Sequence, residues 1–277
     1  MNKPNELPRM IVPKDLEPDD MPDLLRYWYL GTRARRHMML RRFTVVDGGV
    51  EDVAQQNPSD VRVRVLDIGS AWGFNVMVLD RMGHRVTGMD LVVDPFDVGI
   101  RIARENGAAF EVLGADAANL PFRDASFDVV TMVETFEHIY LEDRPPALAE
   151  CNRVLRSGGR LVLSTPNYRS MVERFKRFTG RHRWLRSRLP TMCYPEEGTP
   201  RQEYHPYRYH HPLPDEKIHG LLERAGFRIV STAHFLFMLK NTPDWLFPAV
   251  LGLERVLESI PGVRRLAATA CFTAEKP

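Results

Sequence analysis

From Val61 onward, short apolar runs alternate with segments of helical character. The runs Arg62–Ile68, Arg85–Asp90, Ala109–Leu113, Phe127–Val133 and Gly159–Ser164 read as strands, and Phe74–Met82, Phe96–Glu105 and Pro145–Leu155 read as helices between them. Such alternation predicts a parallel sheet wrapped by helices on both faces. Arg156-Ser157-Gly158-Gly159 is a turn that ends a helix and lets the fifth strand start. The rhythm breaks between Thr165 and Pro214, then resumes with a helix at Asp215–Ala225 and a strand at Phe227–Phe235. A second break, Phe237–Arg264, carries an apolar helix around Trp245–Leu257 and precedes a final strand, Leu266–Ala274. Upstream, Met21–Phe43 has helical periodicity through Leu24, Leu25, Trp28, Leu40 and Phe43. Residues 1–20 are rich in Pro and acids and read as extended or disordered. The expected organisation is thus one domain over 21–277, with an N-terminal helix at 21–43 and insertions at 165–214 and 237–264.

At 277 residues the chain suffices for one large α/β domain with insertions. A net charge of +2 gives no global bias toward polyanions. Cys151, Cys193 and Cys271 are too widely spaced for a metal pattern and suit a reducing compartment. The start, Met1-Asn-Lys-Pro-Asn-Glu-Leu-Pro, has no apolar signal core, and no run approaches the ~20 apolar residues of a membrane span. A cytoplasmic protein is therefore expected, with Leu236–Leu257 the apolar stretch to watch.

The chemistry concentrates where the first strand ends. Asp67 closes it, and the small-residue turn Gly69-Ser70-Ala71-Trp72-Gly73 opens the helix that follows. Strand, tight turn and helix in that order put backbone N–H groups and a helix N-terminus beside a ligand. The second strand ends in another acid, Asp90, placed to hold a ribose diol. The two features indicate a nucleoside-bearing cofactor. The turn is not G-x-G-x-x-G, because no glycine stands where that pattern needs its third. Two further pieces follow: Gly114-Ala115-Asp116-Ala117 after the third strand, and Phe127 to Ile139, a strand running into the loop Glu134-Thr-Phe-Glu-His138.

In this order the pieces resemble the class I S-adenosylmethionine (SAM) dependent methyltransferases, in particular the type 11 group. The resemblance is close over 60–167 and looser over 212–230. It implies a Rossmann-like fold, a seven-stranded, mostly parallel sheet in the order 3-2-1-4-5-7-6, and SAM as cofactor. It implies that Gly69, Ser70, Ala71 and Gly73 approach the methionine end and that Asp67 orients the loop and, through water, the ammonium. Asp90 would accept the ribose hydroxyls, Met89 or Leu91 would pack on the adenine, and Asp116 and Ala117 would meet its edge. Ala71 stands where the family has glycine, so its φ should be negative or the turn shifted.

Methyl transfer is an in-line displacement that depends on positioning. An oxygen nucleophile also gains from a base or a metal. The end of the fourth strand lies beside the methyl group in this fold, which nominates Glu134, Glu137 and His138 as catalytic residues, with Glu134 also near the cofactor. Similar Glu-x-x-Glu-His segments occur in demethylubiquinone and small-RNA ribose O-methyltransferases. A metal-free site is expected, with ion binding by Glu134, Glu137 and His138 as the alternative. His205, His210 or His211 would complete such a set or line the acceptor site. Arg169, Arg174, Lys176 and Arg177 lie in a basic stretch, with Arg181, Arg183, Arg186 and Arg188 beyond and Phe175, Phe178 and Trp184 interleaved; they would contact an acceptor phosphate or an anionic surface. The Thr165-Pro166-Asn167 start of this region resembles methyltransferases of bacterial glycan pathways. The leading expectation is O-methylation of a glycan or related polar small metabolite. Ribose methylation of RNA and a non-catalytic SAM-fold binding protein are the alternatives, and no stable nucleic-acid partner is expected.

Overall fold

In the computed structural model, seven strands form one sheet: β1 (Arg64–Ile68), β2 (Arg85–Asp90), β3 (Glu111–Gly114), β4 (Phe127–Val133), β5 (Leu155–Pro166), β6 (Arg228–Phe235) and β7 (Thr269–Glu275). Their order is 3-2-1-4-5-7-6. β1 to β5 pair in parallel, and β7 lies antiparallel between β5 and β6. The sheet is the Rossmann-like one the sequence predicts. The structure describes residues 9–56, 62–181 and 209–277.

The helices are α1 (Arg33–Gln56), α2 (Phe74–Arg81), α3 (Phe96–Glu105), α4 (Arg144–Val154), α5 (Met171–Arg181), α6 (Asp215–Arg224), α7 (Phe247–Ser259) and α8 (Pro261–Arg264). Side chains alternate across the sheet. Val65, Val129 and Val162 share one face with Val46 and Val50 of α1, Val76 of α2 and Ile102 of α3. Leu66, Val130 and Leu163 share the other with Leu148 of α4 and Leu222 of α6. Because both faces are covered, the strands read as continuous apolar runs rather than alternating ones.

Element boundaries depart from expectation where packing overrides pattern. β3 starts at Glu111 rather than Ala109, since pairing begins at Thr87↔Glu111 while Ala109 N donates to Asp80 Oδ2 at 2.9 Å. The single N-terminal helix expected over 21–43 is two pieces, a π-helical turn at Leu24–Tyr29 and then α1. Gly31-Thr32 supplies the stop and the new N-cap: Arg36 N donates to Thr32 O at 3.0 Å. α1 then runs on through Gly48-Gly49 to Gln56, beyond the expected end at Phe43. The helix crosses β5 there, and a Cβ on Gly49 would lie 2.4 Å from Val162 Cγ2. Residues 9–17 run over the domain edge with Met10 and Leu16 buried; Met10 N donates to the Tyr29 hydroxyl at 2.6 Å.

The 237–264 insertion is held on α1 by charge. Glu254, fully buried on α7, meets His37 Nε2 at 2.6 Å and Arg41 at 3.3 Å, and accepts from Phe237 N and Met238 N, each at 2.7 Å. Glu258 accepts from Arg41 at 2.9 Å and from Leu236 N at 2.7 Å. His37 and Arg41 of α1 thus clamp the insertion.

Gly49 carries a prediction whose sign is informative. Glycine to alanine inside a helix ordinarily stabilises by up to about 1 kcal/mol. Here the added methyl meets a short, stiff, buried valine. Gly49→Ala should therefore destabilise by about 1–3 kcal/mol, the cost of overpacking. Urea unfolding checks it; a stabilised variant would mean that α1 does not approach β5 this closely.

Candidate active site

The turn after β1 is built on left-handed backbone. Gly69, Ala71 and Gly73 have φ of 80°, 48° and 84°. Ala71 was expected at negative φ or in a shifted turn; instead it takes the glycine conformation, at a cost of about 1–2 kcal/mol for a residue with a Cβ. Hydrogen bonds hold it there. Ala71 N donates to Asp90 Oδ2 at 3.0 Å, and Gly69 N and Ser70 N donate to Met89 O at 2.8 and 3.0 Å. Asp90 Oδ1 accepts from Val92 N at 3.0 Å, so this one carboxylate joins the loops after β1 and β2. Gly69 also abuts the loop after β4, where a Cβ would lie 2.1 Å from Thr135 Oγ1.

Burial sets the charge state of these acids. Asp67 accepts from Thr131 Oγ1 at 2.6 Å, yet burial pushes its carboxyl up to about 6, with the neighbouring Asp90 charge adding to the rise. Burial also raises Asp90, against the backbone N–H groups that stabilise its charge. Asp116 is exposed beyond β3 and accepts from Ala118 N at 2.9 Å, with Ala117 half-buried beside it. Of the two residues expected against an adenine, Met89 is closed into the core, and Leu91 is 56 % exposed at the strand tip.

Beyond β4 the backbone turns sharply. Glu134 takes φ of 53°, a strained value for a residue with a long side chain. Its N–H donates to Ser164 O at 2.9 Å, its Oε1 accepts from Ser164 Oγ at 3.3 Å, and its Oε2 meets Arg42 at 2.7 Å. Arg42 in turn lies over the Trp28 ring. Glu134 is therefore engaged by Arg42 of α1 and by Ser164, while its charge still acts on Glu137. Glu137 is buried and accepts from Thr165 Oγ1 at 3.1 Å. Desolvation, then the Glu134 charge, raise its carboxyl to about 7. His138 closes a 3₁₀ turn, Phe136–His138, and its Nδ1 lies 2.5 Å from Tyr209 O. A carbonyl can only accept, so Nδ1 carries the proton and Nε2 the lone pair of the neutral ring. That Nε2 lies 3.8 Å from Glu137 Oε1.

His210 completes the cluster. Ligand atoms of Glu137, His138 and His210 lie within 4.8 Å of one another. The grouping differs from the Glu134, Glu137, His138 alternative: His210 takes the place of Glu134, which is engaged by Arg42. His210 Nε2 is also 3.5 Å from Glu173 of α5. Burial alone would raise Glu173, but His210 and Lys176 hold it at about 2. His211 contributes its backbone, its N–H donating to Glu137 O at 2.9 Å, and its ring is held below the usual histidine range by burial and by Arg144. His205, Arg183, Trp184, Arg186 and Arg188 lie outside the described residues. Of the basic residues nominated for the acceptor, Arg169 pairs with Glu216 at 2.6 Å, Lys176 pairs with Glu173 at 2.5 Å, and Arg177 caps Tyr168 O while stacking on its ring. Arg174 is exposed and has no ion pair among the described residues.

Comparison with known proteins agrees with this geometry. A family described as "Methyltransferase domain" matches residues 66–163. Over 192 residues the chain is 30 % identical to demethylmenaquinone methyltransferase of Thermotoga maritima, covering 65 % of this chain and 75 % of that protein. The chain belongs to the class I SAM-dependent methyltransferases. It is also 34 % identical, over 105 residues, to the ubiquinone biosynthesis O-methyltransferase of Nitrosococcus oceani, 38 % of this chain and 44 % of that relative. It thus spans three quarters of the first relative and under half of the second. A SAM-dependent methyltransferase structure from Methanosarcina mazei shares the fold, with a TM-score of 0.57 at 19 % identity over 80 % of this chain and 96 % of that one.

The residues of this methyltransferase fit the family's cofactor, SAM. Asp67, Asp90 and Asp116 line the ends of the first three strands, and none has an ion pair among the described residues. Burial raises the carboxyls of Asp67 and Asp90, and the Asp90 charge raises Asp67 further, an arrangement a cationic, hydroxyl-rich ligand would relieve. The positioning residues Arg144, Tyr209, Thr165 and Arg42 escape a sequence reading. Arg144 is buried and donates to Glu137 O at 3.2 Å, Ile139 O at 2.9 Å and His211 O at 2.8 Å, with its guanidinium over the Phe136 ring. The one signal is an arginine set directly before Pro145-Pro146 at a helix start.

Asp67 yields a pH prediction. Its folded pKa, about 6, lies above the unfolded value near 3.9, so the folded state binds more protons between these limits. Stability from this group is therefore lost as pH rises across that window. Asp67→Asn should gain on the parent by up to about 2–3 kcal/mol between pH 4 and pH 7. Denaturant unfolding of both forms at several pH values measures the gap; one that does not change with pH contradicts the raised pKa.

Proposed function

We propose that the protein methylates a hydroxyl oxygen of a small-molecule acceptor, with His138 as the general base. The supporting observation is the tautomer of His138. With Nδ1 committed to Tyr209 O, the lone pair sits on Nε2, on a ring beyond the end of β4. When bound, SAM supplies a methyl group on a positively charged sulfur. The chain's own part is to hold, orient and deprotonate. Gly69, Ser70, Ala71 and Gly73 would leave room for the methionine end, Asp67 would face its ammonium, and Asp90 would accept from the ribose. Leu91, Asp116 and Ala117 would border the adenine. His138 would take the acceptor's proton at Nε2, and the neighbouring Glu137 would stabilise the resulting imidazolium.

A hydroxyl on a ring of the quinone-precursor type is the acceptor class favoured here. Two relatives carry quinone-pathway names, of which the Nitrosococcus one is an O-methyltransferase's, and Tyr140 and Tyr209, with centroids 4.6 Å apart, stand beside His138. The glycan or polar-metabolite reading draws less support. Asn167, part of the segment that suggested it, donates to Arg265 O and Ala267 O, and Thr165 donates to Glu137. Three of the four described bases of the acceptor set are engaged within the chain, which also weakens the RNA reading. A second mechanism, with a divalent ion on Glu137, His138 and His210, rests on the proximity of their ligand atoms.

Labelled methyl transfer to paired panels of ring hydroxyls and glycans tests the acceptor class. With an accepted substrate, His138→Ala should lower the chemical rate by about 10²–10⁴ and leave SAM affinity within about twofold. The rate should survive a chelator. Loss of activity in chelator, restored by Mg²⁺ or Mn²⁺, would favour the metal reading, and a fully active His138→Ala enzyme would exclude both.

A further inference from the structure

Helix α7 is docked with its polarity reversed. Its acids, Glu254 and Glu258, face α1 and are satisfied there by His37, Arg41 and three backbone N–H groups. Its outward apolar residues include Ala249, Leu253 and Val256, spaced four and three apart as on one face of a helix, with Ile260 exposed at its C-cap. Trp245, two residues before the helix and four before Ala249, is 80 % exposed; Leu253 and Val256 are 56 % and 57 % exposed. Single exposed apolar residues are ordinary, but a continuous stripe ending in tryptophan is not.

The charges around the stripe are one-sided. Lys240, Arg255 and Arg264 on the same insertion, and Arg265 just after it, are exposed and have no ion pair among the described residues. The insertion's one exposed acid, Asp244, accepts from Arg33 N at 3.1 Å. Turning both glutamates inward therefore leaves an outer surface that is apolar at its centre and cationic at its margins. This is the composition of a helix lying in the plane of an anionic lipid surface, with tryptophan at the headgroup level. No helix among the described residues is long and apolar enough to cross a membrane, so the geometry suits lying on it.

We propose that α7, with Trp245 and the basic segment Arg264-Arg265, docks the protein on the surface of a bilayer containing acidic phospholipids. The position matters for the enzyme. α7 is clamped by Arg41, and the next residue, Arg42, reaches Glu134 at the end of β4. Asn167, two residues past Thr165, bonds the main chain at Arg265, Ala267 and Ala268. The docking face thus adjoins the edge of the sheet that carries the active site, and docking would hold that edge near the lipid. The inference rests on surface composition and stands whichever acceptor is methylated.

The test is cosedimentation of the full-length protein with vesicles of phosphatidylcholine alone and of phosphatidylcholine with phosphatidylglycerol. The parent protein should bind the anionic vesicles, with binding reduced in 0.5 M salt. Trp245→Ser/Leu253→Ser/Val256→Ser should weaken that binding at least tenfold. Arg264→Gln/Arg265→Gln should weaken it severalfold, and SAM affinity, as the measure of folding, should be unchanged in both. Absence of vesicle binding by the parent protein overturns the proposal, as does binding equal on neutral and anionic vesicles or unaffected by the triple substitution. A parent protein that ignores vesicles but dimerises through this face, with a monomeric triple variant, would assign the stripe to a second copy instead.

Discussion

The buried guanidinium of Arg144 holds the catalytic edge together. It donates to the main chain of Glu137 and Ile139 on one side and of His211 on the other. Its bonds add to those from His211 N to Glu137 O and between His138 Nδ1 and Tyr209 O, which also join the loop after β4 to the segment 209–211. A buried charge is costly, and the three carbonyls and the Phe136 ring help to compensate it. With the two segments joined, Tyr209 O meets His138 Nδ1, and His210 comes between Glu137 and Glu173. The orientation of the proposed base thus depends on an arginine that does not face it.

A second constraint acts from α1. Different residues along that helix do different things: His37 and Arg41 hold the inverted helix α7, Arg42 pairs with Glu134, and Gly49 lets the helix settle on β5. The N-terminal segment is therefore part of the site's architecture, and the active edge is bounded on one side by α1 and on another by 209–211. The strained backbone at Ala71 and Glu134 lies on this same edge. Strain of that kind persists where surrounding contacts over-determine it, and both residues have such contacts, Ala71 through Asp90 and Glu134 through Ser164 and Arg42.

Much of the fold was legible in the sequence, because the alternating units of a parallel sheet are local patterns. β2, β4 and α3 fall on the expected residues, and Asp67, Asp90 and Asp116 stand at three successive strand ends. What the sequence obscured depends on contacts between distant residues. The polarity of α7 is invisible until Glu254 meets His37, 217 positions away. Ala71 looked incompatible with a left-handed turn because the compensating bond comes from Asp90. The Glu-x-x-Glu-His motif suggested three side chains at one point, yet the positive φ of Glu134 turns it toward α1, and His210 arrives from a different segment. The basic run after β5 looked like an anion site, but Glu173, Glu216 and Tyr168 engage much of it.

The carbonyl of Tyr209 keeps a proton on His138 Nδ1, so that Nε2 is the nitrogen left to accept one when the ring is neutral. Long-range ¹H–¹⁵N correlation spectroscopy of the histidine-labelled protein, assigned by a His138→Gln variant, reads this tautomer directly. Where the ring is neutral, the His138 Nδ1 resonance should have the shift of a protonated nitrogen and Nε2 that of a bare one. Arg144→Lys, which shortens the tie to 137–139 and 209–211, should mix the two tautomers. A bare Nδ1 and a protonated Nε2 in the parent protein would contradict the proposed base.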